Sequence, residues 1–203
     1  MREPGRRRAQ ILRVAADHFG RRGYDETKWA DIAAAVGVGP TALYHYFESK
    51  QHCLFEIMAE AVAEFRLDFD RIVAGHDDWT AGLVAVLRNG FELSEADVLR
   101  RRVLAAEHAR SRVRSAQPRE EVARTSALSR KRDLEFAWGA FLARGMQQGA
   151  LPERDPQLLA RALIGLYNSV WVWYRPGGTR SLDTVGPFFV RRELELLGVV
   201  AHT

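Results

Sequence analysis

Apolar residues recur at helical spacing along nearly the whole chain, and no segment sustains the period-two alternation of a half-buried strand. The pattern predicts an all-α protein of about nine helices. The first, Arg7 to Arg22, lines up Ile11, Leu12, Ala15, Ala16 and Phe19 on one stripe, and Gly23 supplies a residue that tolerates a left-handed C-terminal cap. Two short helices follow, Lys28 to Val36 and Thr41 to Phe47. Ser49 is placed to cap a long fourth helix running to about Val73, which the cluster Gly75, His76, Asp77, Asp78 ends. Further helices are predicted over 79–93, 95–114, 118–149, 156–174 and 182–198, with Ser94 and Ser181 at N-cap positions and Pro118 and Pro156 in first turns.

Composition narrows the class. With 203 residues and 47% hydrophobic side chains the chain can bury a sizeable core. The net charge is only +4, so position says more than the total. Residues 1–50 hold nine basic side chains (Arg2, Arg6, Arg7, Arg8, Arg13, Arg21, Arg22, Lys28, Lys50) against six acidic ones (Glu3, Asp17, Asp25, Glu26, Asp31, Glu48), an excess of three. Arg6, Arg7 and Arg8 read as a basic arm before the first helix, either solvated or reaching DNA phosphate or the minor groove. Cys53 is the only cysteine, which excludes an intrachain disulfide and a thiolate zinc site. The N-terminus has no apolar run like a signal peptide, and the most apolar stretch, Leu158 to Tyr174, is interrupted by Arg161. The expected compartment is the cytoplasm, with no membrane partner.

The second and third helices meet the demands of a helix-turn-helix. Ala33 allows close approach, Gly37 makes the turn, and Ile32, Val38 and Leu43 fill the small core. The run GVGPTALYHYFESK, Gly37 to Lys50, resembles the recognition helix and the start of the fourth helix of TetR-family repressors, and YDETKWADIAAAV before it resembles their second helix. The resemblance implies a DNA-binding domain over 1–50, and over 51–203 a larger helical domain that binds a small effector and forms the homodimer. The fourth helix would bridge the two.

It also implies that Pro40, Thr41 and Ala42 face base edges, and that Tyr44, His45, Tyr46 and Lys50 approach the sugar-phosphate backbone of an operator duplex. Tyr46 and Phe47 are also candidates for the core. Thr27 and Lys28 would anchor the second helix there, although Lys28 departs from the hydroxyl residue usual at that position. The chemistry agrees: Thr41 offers a hydroxyl and a methyl, Ala42 a methyl for thymine, and Lys50 a charge beside a helix N-terminus.

No Gly-rich phosphate loop and no nucleophile motif is present, so neither an enzyme nor a cofactor is expected. The rival reading is a helical enzyme, or a metal- or redox-responsive regulator using His52, Cys53 and Glu56. Glu107 beside His108 is the other acid–base pair. His18, His76 and His202 read as surface residues. The second domain is rich in large apolar side chains, from which Met58, Val62, Phe65, Leu87, Phe91, Leu104, Phe141 and Trp171 are candidate effector-pocket walls, with Glu107, His108, Arg130 and Asn168 as polar anchors. The segment WYRPGGTRS, Trp173 to Ser181, resembles the corresponding segment of TetR-type regulators of steroid-ring and fatty-acid breakdown, which points to an acyl-CoA thioester. The last two helices are apolar on more than one face, with Val185, Phe189, Leu196 and Val200 as a stripe and Phe188, Leu194 and Leu197 beside it. They are therefore the expected dimer interface.

Overall fold

The structure is a computed structural model and describes residues 3–199. Among them lie nine α-helices and no strand: α1 Glu3–Arg22, α2 Trp29–Val36, α3 Pro40–Leu43, α4 Lys50–Ala74, α5 Trp79–Asn89, α6 Glu95–Glu107, α7 Pro118–Gln147, α8 Pro156–Trp173 and α9 Leu182–Leu197. A 3₁₀ helix, His108–Arg112, joins α6 to α7. Val200 of the predicted dimer stripe, and His202, lie outside the described residues. Among the described residues no helix is long and apolar enough to cross a membrane.

Two compact units form, one from residues up to 62 together with 95–130, the other from 63–94 together with 131 onward. The first is built on α1, whose stripe Ile11, Leu12, Ala15, Ala16 and Phe19 is buried with Ile32, Ala33, Leu43, Phe47, Leu54 and Phe55. α6 packs along α1, and the fit depends on Gly20: a Cβ there would lie 2.7 Å from Cβ of Leu99 and 2.9 Å from its Cα. Gly23 takes φ +94°, and its N–H returns to the Phe19 carbonyl, closing α1.

Several boundaries differ from the pattern. α1 begins at Glu3, so Arg6 to Arg8 lie within the helix and form no arm. The guanidinium of Arg8 pairs with Glu56 at 2.9 Å and stacks over Phe47, and Arg7 donates to the Val36 carbonyl at 3.3 Å. α3 is only four residues long, and residues 44–46 continue as tight turns, each N–H bonding three residues back. α6 ends at Glu107 because the next turn tightens: Ser111 Oγ donates to the His108 carbonyl, and Arg124 draws the Ser111 carbonyl toward α7 at 2.7 Å. His18 also differs from expectation, since it is half-buried and its Nδ1 is enclosed with no partner.

The second unit is aromatic. Phe69, Trp79, Trp138 and Phe141 pack together, Trp79 stacking on Phe141 at 5.1 Å between centroids and donating to its carbonyl at 2.8 Å. Phe91, Tyr167, Trp171 and Tyr174 form a second group. Its Tyr167 hydroxyl donates to the Gly90 carbonyl, where α5 stops short of the predicted residue 93. Asp155 caps α8 by accepting from the N–H groups of Gln157 and Leu158. Ser181 precedes α9, but its hydroxyl meets that of Thr184 at 3.2 Å and caps no backbone N–H.

Candidate nucleic-acid interface

The helix-turn-helix closes on Gly37, whose φ of +77° lets Val38 N–H reach the Ala33 carbonyl at 3.0 Å, and Pro40 opens α3 with a ring pre-set for a first turn. Periodicity then sorts the side chains. Leu43 and Phe47 are wholly buried, whereas Pro40, Thr41, Tyr44 and His45 are exposed, Tyr44 by 54%. Ala42 and Tyr46 are half-buried. A solvent-facing tyrosine of this size on a short helix leaves apolar surface that nothing in its own unit covers.

Lys28 is exposed at the N-cap position of α2 and makes no side-chain capping bond. Thr27, by contrast, is wholly buried, and its hydroxyl donates to the Gly23 carbonyl at 2.8 Å. It holds the α1–α2 turn from inside and offers nothing to a phosphate. Lys50 is half-buried: Nζ donates to the carbonyls of Tyr24 and Thr27, both at 2.8 Å, and lies 4.1 Å from the centre of the Tyr24 ring. Burial pulls its ammonium below the usual lysine range, while burial of the Tyr24 phenol pushes that group up to about 12.

The start of α4 is tightly specified. Ser49 Oγ accepts from His52 N–H at 2.9 Å, and His52 Nδ1 accepts from Glu48 N–H at 3.1 Å, so two of the orphan donors at this end are satisfied. Burial holds the His52 imidazole below its ordinary range. Cys53 is wholly buried and its thiol is pushed well up by the same cause, which disfavours the thiolate a redox sensor needs. Glu56, the third member of the suggested metal set, is paired with Arg8.

Sequence reasoning missed what fastens this region from the far side. Arg119, at the start of α7, donates to the Tyr46 carbonyl at 2.9 Å. The backbone N–H of Glu120 donates to Glu48 at 2.9 Å, and the Glu120 carboxylate takes the Ser49 hydroxyl. Arg110 stacks on the face of Tyr24 at 4.5 Å and pairs with Asp25. These partners stand about 70 to 85 residues apart in the chain, where no local pattern links them.

The predicted effector residues fall in both units. Met58, Val62, Leu104, Glu107, His108 and Arg130 belong to the first; Phe65, Leu87, Phe91, Phe141, Asn168 and Trp171 belong to the second. Most of the apolar ones are buried. Glu107 is held by Arg110, Arg130 is exposed, and the buried Trp171 indole N–H has no partner. A cavity of about 610 Å³ opens in the first unit among α1, α2, α4 and α6, against Leu12, Val14, Ile57 and Leu99, and none of the predicted effector residues lines it.

Residues 11–57 match the model of bacterial regulatory proteins of the tetR family, and residues 96–197 match that of a tetracyclin repressor-like C-terminal domain. The chain is 31% identical over 187 residues to the HTH-type transcriptional repressor KstR2 of Rhodococcus jostii, covering 88% of this chain and 85% of that protein. KstR2 of Mycolicibacterium smegmatis is 27% identical over 195 residues, covering 91% and 87%. Among solved structures, the ketosteroid transcriptional regulator KstR2 of Mycobacterium tuberculosis superimposes with a TM-score of 0.73 at 25% identity, covering 95% and 93%. AibR, solved with isovaleryl coenzyme A and operator DNA, superimposes with a TM-score of 0.75 at 23% identity, covering 96% and 100%. The chain belongs to the TetR family of bacterial transcriptional regulators and is a repressor of that type.

Proposed function

We propose that this repressor reads its operator through Pro40, Thr41 and Ala42, holds the flanking phosphates with Lys28, Tyr44, His45, Tyr46 and Lys50, and is released by a largely apolar acyl-CoA thioester. The observation that carries the DNA reading is the sorting of α3 and the turns that follow it, where the apolar Leu43 and Phe47 are buried while Thr41, Tyr44 and His45 stand in solvent. The protein acts as a homodimer through α8 and α9, in the cytoplasm where its operator lies, and as a binding protein, not an enzyme. Dimerisation is the habit of its family.

The effector reading rests on the resemblance of the segment Trp173 to Ser181 to regulators of steroid-ring and fatty-acid breakdown and on the aromatic second unit, where Phe91, Tyr167 and Trp171 pack on one another and the buried Trp171 N–H has no partner. Any effector shifts the population only by its differential affinity for the DNA-bound and released states. The test is fluorescence anisotropy of a labelled operator, mapped first by selection from genomic fragments, titrated with acyl-CoAs and with free CoA. Release by acyl-CoAs alone is expected. Release by a metal ion or a polar drug, with acyl-CoAs inert, sinks the effector assignment and leaves the repressor standing.

A further inference from the structure

Between α6 and α7 the chain reads HARSRVRSAQPR, residues 108–119, with four arginines and no acid. Its charge of +4, with histidine neutral, equals the formal net charge of the whole protein. So concentrated a charge within twelve residues costs self-repulsion unless an anion offsets it. This segment belongs to the same compact unit as the helix-turn-helix, and both of its ends are pinned there. Arg110 lies on Tyr24 and pairs with Asp25, four and three residues before Lys28, and Arg119 donates to the Tyr46 carbonyl. The basic segment therefore runs from the turn that leads into α2 to the turn that follows α3, along the margin of the exposed DNA-reading residues.

Between those pins Arg112 and Arg114 are exposed, Arg114 to 87% of its side chain. Arg114 stands 3.6 Å from Glu121, a carboxylate already engaged by Arg124 through two shorter bonds, so that solvent-exposed contact restrains it little. Close intramolecular contacts thus engage Arg110 and Arg119, and leave Arg112, with Arg114 held only by that long exposed contact, presented to solvent between them.

We infer that Arg112 and Arg114 form a second phosphate-binding element, gripping operator DNA just outside the base pairs that α3 reads. The occupant is duplex backbone, because the surface is continuous with the DNA-reading face, is cationic, and consists of guanidinium groups suited to phosphate. The contact rests on the proposed DNA reading and extends its footprint.

The test compares wild type with the double variant Arg112→Gln, Arg114→Gln on two duplexes, one holding the core operator alone and one longer by a helical turn at each end. Both side chains are exposed, so equal melting temperatures are expected. On the long duplex the slope of log K against log salt should fall by about 1.8, the share of two phosphates, which is about a tenfold smaller loss of affinity between 50 and 200 mM salt. On the core duplex the two proteins should match. Equal slopes on the long duplex, with wild type binding specifically, overturn the inference while the DNA reading stands. Failure of wild type to prefer operator over random duplex overturns both.

Discussion

Gly20 of α1 faces Leu99 of α6 so closely that a side chain has no room: a Cβ would lie 2.8 Å from the Leu99 carbonyl oxygen and 2.9 Å from its Cα. Because the obstruction is backbone, it cannot turn aside. Around this crossing Arg21 pairs with Glu95 at 2.6 Å, and Arg102 donates to the Gly20 carbonyl at 2.8 Å. Gly20→Ala should destabilise the protein by about 1–3 kcal/mol by forcing the helices apart. Its affinity for operator should change with it, because α1 carries the helix-turn-helix on its other side. Calorimetric melting together with operator titration checks this, and an unchanged melting point would show that the crossing yields without cost.

Lys50 has two tasks in the proposed reading, and they separate experimentally. Its ammonium already holds the Tyr24 and Thr27 carbonyls, and charged hydrogen bonds of this kind contribute roughly 1.5–3 kcal/mol together with their desolvation. Lys50→Ala should therefore lower thermal stability and, through the lost charge, reduce the salt slope of DNA binding by about one. Lower stability with an unchanged slope would leave Lys50 a staple of the α1–α2 turn and remove it from the phosphate contacts. Thr41→Ala, at an exposed position, should leave stability alone and relax sequence preference by about 1 kcal/mol at the base it faces.

Glu193 is buried in α9, and its Oε2 has no hydrogen-bond partner. Desolvation raises its carboxyl to about 8 from an ordinary 4.5. Between those two values the folded protein keeps a proton that the unfolded chain releases. Stability is then greatest below pH 4.5 as far as this group is concerned, and it declines as pH rises toward 8, by up to about 1.4 kcal/mol per pH unit. Glu193→Gln, which cannot ionise, should flatten the dependence of melting temperature on pH across that window and be the more stable protein at pH 8. Parallel melting curves for the two proteins would mean that water or a partner already satisfies the carboxylate.

Much of this architecture is legible in the sequence because it is periodic or local. The stripe of α1, the Gly37 turn and the Ser49 cap all depend on neighbours within a few residues, and Leu43 and Phe47 are spaced to bury together. What escapes is non-local. Arg6 to Arg8 look like an arm until Glu56 and Val36 are brought beside them, and Thr27 looks like a phosphate anchor until the Gly23 carbonyl takes its hydroxyl. The basic segment 108–119 sits in the part of the chain assigned to effector and dimer, and its ion pair to Asp25 and its bond to Tyr46 bring it against the α1–α2 turn and the turn after α3.

The exposed apolar residues of α8 and α9 lead to the last prediction. Leu158, Ala162, Gly165, Ser169 and Val172 are all exposed at alternating spacings of four and three, one continuous helical face. Gly165 meets no atom within 4 Å of a Cβ position, so the middle of that face is open for close approach by another helix. Leu158 opens the face at 61% exposure, Trp173 follows Val172 at 47%, and α9 adds Phe188 at 58% with Leu196. A second copy meeting these helices in a four-helix arrangement would cover all of them and set two recognition helices about one DNA turn, roughly 34 Å, or a multiple of it apart. Phe188→Asp should place a carboxylate in that interface and weaken the dimer by about 2 kcal/mol or more, since a buried charge without a partner is costly. Sedimentation equilibrium at micromolar concentration should then show dimer for wild type and largely monomer for the variant, with operator affinity falling in parallel while the melting of each monomer persists. A variant that remains dimeric and binds operator like wild type would place the interface elsewhere on the molecule.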